Sequence, residues 1–538
     1  MKIVSRTGML ITWCLLVLIS QAQPFHVHLD QRFYIVGETI HYQVYPSNDI
    51  RSDSMLIYTE LYSNTGRMEM QQIHRLSGRS IGGAMHLPIS FKEGNYRLVC
   101  YAMWDDSQSD SVIIRSIETV LAIYNELFSK PGESTGQIAE KPIDSSPTPV
   151  YQGMVKSKLL LPLELNTAQQ GINSGEYSVA VIHESIDLVS PEDKGRMDQN
   201  PSLDTGRFLP RKHLMITGMV SDPFSLKPIT DRNLSFYIPS RQYFKRVQSD
   251  HGRIKVMIPD IAGKYDIQVL SMNPNSRYPL NLDYKVSAIA PAPLSNVQSM
   301  PVRTPEILLA LSQFSKKRLI DDIFEDRSVH KQEIKDSSKG FIPDKKYLLS
   351  DFQELKTLED FIKEVLLETH ITTIINNKKS LRLRSKEKNQ LYRWPAWYLL
   401  DGVFQADEDL MLNFDIAKIK SIELFNKDLT IERQFDPIMK YNGIFSINTY
   451  LKEEPNVLVY SCNGLTEPLS DKPMDEINVN KPDLRTSILW QSKLNCDPNG
   501  IVHLRFRSGD IKGKYAVVLN GTDQHGTYIH RQYQLVIE

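Results

Sequence analysis

Cysteine is scarce in this chain: four in 538 residues, one of them, Cys14, inside an N-terminal apolar run. Cys100, Cys462 and Cys496 are left, an odd number with no CxxC pair, which excludes a disulfide framework and an ordinary zinc site. Whether Cys462 and Cys496 are joined is left open by their spacing. Charge of one sign is lacking as well: 63 Lys+Arg stand against 64 Asp+Glu for a formal net charge of -1. That balance argues against a nucleic-acid surface or a polybasic membrane patch. After the N-terminal run no segment is apolar for the roughly 20 residues that a membrane-crossing helix needs.

What is present begins with Lys2 and Arg6, an apolar run from Met9 to Ile19 and then Ser20-Gln21-Ala22. A charged head, a short apolar middle and small residues at the end predict a secretory signal peptide over 1–22, cut after Ala22. No small residues of a lipoprotein cleavage site precede Cys14, so a non-lipidated exported product is expected, without a transmembrane segment in the mature chain. A chain of this length exceeds what one core usually serves, and three to five domains are expected.

From His26 the pattern has period two. "FHVHL", "FYIVGETIHYQVY", "SMLIYTELY", "GAMHLPIS" and "NYRLVCYAMW" alternate apolar with polar between Gly, Asn, Asp and Ser, which predicts an antiparallel sandwich over 23–128. A Pro/Gly/Ser/Glu-rich linker over 129–149 follows. A second β unit over 150–212 carries "SKLLLPLEL" and "EYSVAVIHESI", and a third over 213–290 runs from "LMITGMVSD" to "KYDIQVLSM". The stretch 291–345 is polar and lysine-rich and reads as a linker with one helix around Pro305 to Phe314. Over 346–451 the texture is mixed α+β: Thr357 with Asp360 makes a capping box, Leu358, Phe361, Ile362, Val365 and Leu366 recur at helical spacing, a short acidic helix is expected at Asp407 to Asn413, and "IKSIELFN" and "GIFSINTY" read as strands. The residues 452–538 return to β. The expected fold class is thus mainly β, tandem antiparallel sandwich modules with one small α+β domain.

Several short patterns match those of catalytic or metal sites. Gly78-Arg79-Ser80-Ile81-Gly82 fits the G-x-S-x-G of a hydrolase nucleophile elbow, but that chemistry needs a helix after the serine, and here Gly83 and the strand-like "AMHLPIS" follow. His26 and His28 alternate on one strand, so both rings face one side, yet no third ligand lies in sequence reach. His183-Glu184 has no second histidine at the spacing of a zinc protease. Asp105-Asp106 reads as solvated loop carboxylates. Trp394 and Trp397 flank a proline; they read either as an exposed aromatic binding patch or, for Trp397, as core packing. Asp401 of "WPAWYLLDGVF" is either a carboxylate at a strand end or a turn residue. The residues present no catalytic, cofactor-binding or metal site, and the chain is expected not to be an enzyme.

Three stretches resemble known modules. "VHLDQRFYIVGETIHYQVY" followed by "GNYRLVCYAMW" resembles the macroglobulin-type MG2 sandwich of large exported proteins of Bacteroidetes-like bacteria, over about His26 to Ile123. Protease-trapping members carry a thioester within Gly-Cys-Gly-Glu-Gln, which this sequence lacks. "ITGMVSDPFSLKPITDRNLSFYIP" through "GRIKVMIPDIAGKYDIQVLS" is similar to the carboxypeptidase-regulatory-like Ig module, with its Gly-x-Val-x-Asp opening at Gly218 to Asp222. "AWYLLDGVF", "FDIAKIKSIELFN" and "YNGIFSINTY" resemble the plug domain of TonB-dependent outer-membrane receptors, where Asp-Gly is a strand-ending turn; by that match Asp401 and Gly402 are structural. A receptor barrel of about 22 strands at about ten residues each does not fit after Tyr450.

These resemblances imply an exported interaction or scaffold protein, periplasmic or peripheral to the outer membrane of a Gram-negative bacterium, presenting a plug-like domain to a protein partner such as an outer-membrane barrel or its complex. The alternative is a macroglobulin-type noncovalent protease- or peptide-binding protein, with Ala290 to Pro343 as its bait segment. No cofactor and no nucleic-acid partner are expected.

Overall fold

The computed structural model describes residues 24–109, 111–125, 148–149, 160–166, 175–184, 194–197, 207–231, 233–271, 280–289, 301, 305–324, 342–352, 355–373, 379–386, 389–426, 442–452, 458–467, 482–523 and 525–538. The signal-peptide reading over 1–22 and most of both linkers lie outside them. The chain forms two compact units: residues 1–212, 290–331 and 465–538 make the first, and 213–289 and 332–464 the second. The fold is mainly β in antiparallel sheets, with one α+β layer.

In the first unit, a three-stranded sheet orders Phe25–Leu29, Thr39–Pro46 and Ile81–His86 with Thr39–Pro46 in the middle. It packs on a seven-stranded sheet built on Val112–Tyr124, Gly94–Asp106, Leu56–Tyr62 and Met68–Arg75. Period two does the work expected of it. Phe25, Val27, Leu29, Tyr42 and Val44 point into one core against Ile57, Leu61, Leu98, Cys100 and Trp104. The outer face of the larger sheet meets helix α1 (Pro305–Phe324). Its residues Ile307, Ala310, Leu311 and Phe314 repeat at helical spacing and cover Phe33, Ile35, Ala122 and Tyr124.

The second sandwich of this unit differs from the modular reading. Gly175–His183, from the expected second module, lies between Ser487–Leu494 and Gly513–Asp523 of the expected C-terminal one. Leu160–Asn166 likewise pairs with Ile501–Arg507. Leu160–Asn166 and Gly175–His183 therefore share one sandwich and one core with strands of the 487–537 region, in which Leu161, Leu163 and Leu165 face Tyr177, Val179, Val517 and Leu519. Within 150–212, Lys194–Met197 and Phe208–Pro210 belong to neither module but add to the seven-stranded sheet of the first sandwich.

In the second unit, Arg253–Ile258, Leu214–Ser221 and Asn281–Tyr284 form one sheet of an Ig-like sandwich. Tyr243–Gln248, Asn233–Ile238, Lys264–Ser271 and the late strand Tyr460–Asn463 form the other. Gly218 is required there because a Cβ would stand 2.4 Å from the carbonyl oxygen of Asp283. The α+β layer is a five-stranded sheet in the order Lys345–Leu348, Ile419–Phe425, Ile444–Thr449, Trp397–Leu400 and Val403–Gln405. Only Trp397–Leu400 and Ile444–Thr449 run parallel within it. Helices α2 (Leu358–Glu364) and α3 (Glu408–Leu412) lie on one face. There Phe361, Ile362, Met411 and Leu412 pack on Tyr398, Leu400, Ile422 and Phe445. Thr357 caps α2 by accepting from the Asp360 amide, and Asp407 caps α3 through the Leu410 amide. On the other face Trp397, Leu399, Phe425 and Ile444 form a continuous apolar seam with Tyr237, Phe244 and Leu270 of the Ig-like sandwich.

Candidate functional site

Ser80 is buried and precedes the strand Ile81–His86 directly. Its hydroxyl donates to the Glu176 carboxylate and accepts from the Gln43 amide, so it is the middle of a structural chain of hydrogen bonds. Gly78, at φ +93°, gives the turn before it.

His26 and His28 do face one side, away from the core and onto the second sandwich of their own unit. The His26 ring lies flat on Tyr528 at 3.8 Å. His28 is buried, with Nδ1 2.6 Å from Ser178 Oγ and its ring 4.9 Å from Trp490. Burial, then the neighbouring His530 and Arg32, hold its pKa down at about 3, and the ring is neutral. Among the described residues no group of three or more His, Cys, Asp or Glu is disposed to hold a metal ion. His183 Nε2 is 3.3 Å from the Lys512 carbonyl, and Glu184 accepts from the Gln534 amide.

Asp105 and Asp106 are not solvated loop carboxylates. They close the strand Gly94–Asp106, and each carries an arginine from the segment paired alongside. Arg211 binds Asp105 with both edges of its fork, at 2.6 and 3.0 Å, and Arg207 reaches Asp106 at 2.8 Å. Hydrogen bonds from Arg207, Ser109 and the Gln108 amide keep the Asp106 carboxyl well below the usual carboxylate range.

Trp397 is a core residue of the seam, 5.0 Å from the Phe404 ring and edge-on to Phe244 at 6.0 Å. Trp394 is half-buried with the Arg393 guanidinium 5.4 Å over its ring. Asp401 and Gly402 link Trp397–Leu400 to Val403–Gln405 with φ +48° and +83°, the doubly left-handed pair that a two-residue hairpin turn needs. Asp401 thus has a turn's geometry. Cys100, Cys462 and Cys496 are free thiols, and burial pushes Cys462 up to about 11.

Sequence reasoning missed the exposed apolar side chains of the second unit. Leu348 (42 % exposed) pairs across to Ser421, and the Tyr450 amide donates to the Lys418 carbonyl. Leu348, Tyr450 (60 %) and Leu451 (84 %) therefore lie at one end of the α+β sheet, in solvent. Nothing in composition distinguishes such residues from core ones, because an apolar residue beside a strand end reads alike in both settings. On the Ig-like sandwich, Phe224 (91 % exposed) is carried on a turn wound by Asp222, whose carboxylate accepts the Phe224 and Ser225 amides at 3.0 and 2.8 Å.

No protein-family model matches the chain, and no curated protein matches it. Among solved structures it is similar to trypsin-activated α2-macroglobulin from Escherichia coli, at 8% identity and a TM-score of 0.24, over 96% of this chain and 41% of that one. It is similar also to Salmonella α2-macroglobulin reacted with methylamine, at 9% identity and a TM-score of 0.24, over 96% and 39%. A third is a tetra-tandem repeat from the extending region of a large adhesion protein, at 7% identity and a TM-score of 0.15, over 96% and 100%. The chain spans about two fifths of the length of the macroglobulins it matches. No helix among the described residues is long and apolar enough to cross a membrane.

Proposed function

We propose that the chain is an exported, non-enzymatic interaction protein, periplasmic or peripheral to the outer membrane of a Gram-negative bacterium, whose β-sandwiches carry the plug-like α+β layer to a protein complex of that membrane. The observation that supports this reading most is how the layer is held. One face of its sheet is fused to the Ig-like sandwich through the apolar seam, and the other is closed by α2 and α3. The sheet is fixed on both sides while Leu348, Tyr450 and Leu451 stand in water at its end. Rigid apolar anchors of this kind lose little entropy on binding and suit a protein interface.

The test is a cross-linking pull-down of the tagged full chain from native membranes, beside the triple variant Leu348→Ser, Tyr450→Ser, Leu451→Ser. Recovery of an outer-membrane β-barrel or its lipoprotein partners, reduced at least tenfold by the variant, is the expected result. Recovery of proteases or peptides, or of a barrel equally well by both proteins, overturns the reading.

A further inference from the structure

Within the first unit, the outward face of the three-stranded sheet rests on the outward face of the five-stranded sheet of the second sandwich, and the joint between them is polar. Tyr45 donates to Ser178 Oγ at 2.8 Å and lies 3.2 Å from the Asn520 carbonyl. The Arg79 amide donates to Glu176 at 3.2 Å, its guanidinium bonds the Asp523 carbonyl, and Asn48 donates to the His525 carbonyl. His28 sits in the middle of this joint. Its Nδ1 is bonded to Ser178, and its Nε2 is buried without a hydrogen-bond partner among the described residues.

We propose that this joint is an acid-labile device in which protonation of His28 requires the two sandwiches to part. A neutral imidazole has one N–H and one bare nitrogen, and tolerates one idle position. An imidazolium has two N–H donors and a full charge, and at His28 one of those donors has no acceptor. Burying a charged donor unpaired costs far more than burying a neutral one. Beside the ring lies Trp490, tilted at 4.9 Å, which offers no hydrogen-bond acceptor, and the titratable and charged groups around it give no free one. On its own side stand Arg32, His41 and Tyr45. Across the joint stand Glu176, whose carboxylate is taken by Ser80 and the Arg79 amide, and Tyr528 and His530, the latter bonded to Asn520 at 2.6 Å. The charges of Arg32 and His530 both oppose a cation at His28.

The direction follows from linkage. The closed joint holds His28 at a pKa of about 3 against 6.5 when free, so closure is fully favoured above about pH 6.5 and weakens as pH falls toward 3. Opening eases about tenfold for each pH unit across that window.

The Arg79 amide reports the joint directly, since its hydrogen bond crosses it. Hydrogen exchange of that amide is measured in the full chain between pH 6.5 and 5.0, above the ordinary carboxylate range, and corrected for the intrinsic pH dependence of exchange. The expected result is a protection factor that falls about tenfold per pH unit in the wild type and stays level in His28→Gln, while circular dichroism shows both sandwiches folded. Level protection in the wild type overturns the proposal, and so does a slope that survives His28→Gln. Should His28→Gln fail to fold, the His28 ring resonance in the wild type decides instead: titration in step with loss of Arg79 protection supports the joint, and titration without that loss overturns it.

Discussion

Asp401 is tied to Thr449 twice. One carboxylate oxygen accepts the Thr449 amide at 2.7 Å and the other accepts its hydroxyl at 2.6 Å, so the hairpin turn after Trp397–Leu400 is locked to the end of the neighbouring parallel strand. Alanine at 401 loses both acceptors and pays for a left-handed backbone besides; a loss of about 2–4 kcal/mol is expected. Asparagine tolerates the backbone and keeps one acceptor, for a loss of about 1 kcal/mol. Urea unfolding followed through the Trp397 signal separates them. A loss in the alanine variant alone, with asparagine as stable as wild type, would show that the turn conformation, not the Thr449 bonds, is what Asp401 supplies.

A second carboxylate predicts a pH dependence. Asp30 is buried, and its Oδ1 accepts the Tyr34 hydroxyl at 2.6 Å and the His41 amide at 3.0 Å. Burial outweighs both bonds and raises its pKa to about 8. The folded state therefore keeps a proton that the unfolded chain releases near pH 4, and stability from this group is lost as pH rises from about 4 through 8. Asp30→Asn keeps the acceptor and cannot ionise. Its stability relative to wild type is expected to rise steadily over that window, and taking the difference cancels the opposite contribution of His28. A difference that stays constant with pH would mean that Asp30 is ionised in the fold.

Arg211 fastens the end of the 207–211 segment to the first sandwich. Besides its fork on Asp105, its amide donates to the Met103 carbonyl and its own carbonyl accepts from Leu56. The guanidinium is buried, with only 7% of the side chain exposed. Removing one partner of such a pair strands the other, and Arg211→Ala is expected to cost about 3 kcal/mol. Arg211→Lys keeps the charge without the two-pronged geometry and should fall between. Thermal melts of the three proteins test the order.

The strands of the first sandwich, the Thr357 cap, the short acidic helix and the Asp-Gly turn were legible because each is written in a few adjacent residues. Alternation places Phe25, Val27 and Leu29 inside whatever they pair with, and a capping box works within one helical turn. The union of Gly175–His183 with Ser487–Leu494 and Gly513–Asp523 left no such trace. A strand's own pattern says which face is buried but not which distant strand lies beside it. For the same reason the role of Tyr460–Asn463 in completing the Ig-like sheet was invisible. Asp105 and Asp106 misled because their arginines arrive from a segment about a hundred residues away that reads as a polar connection.

The seam between the Ig-like sandwich and the α+β layer governs how the binding proposal can be tested. Deleting Tyr347 to Leu451 looks at first like a clean removal of one module, but it would bare Tyr237, Phe244 and Leu270, all buried against that layer. It would also cut the bonds from Tyr237 to the Gly402 carbonyl at 2.6 Å and from Gln268 to the Phe404 carbonyl at 3.3 Å. The remnant would therefore carry a sheet face built to be covered, and a lost interaction could not be told from a misfolded neighbour. Trp397→Ala is the sharper probe. It opens a cavity between the two sheets at an expected cost of about 3–5 kcal/mol, and it removes the ring that meets both Phe244 and Phe404. If the seam joins the two layers into one cooperative unit, Phe244→Ala combined with Trp397→Ala should cost measurably less than the sum of the two alone, because each single change already loosens the same contact. Strict additivity in a double-mutant cycle would show that Phe244 and Trp397 are not coupled across the seam, and the rigid presentation of Leu348, Tyr450 and Leu451 would lose its basis.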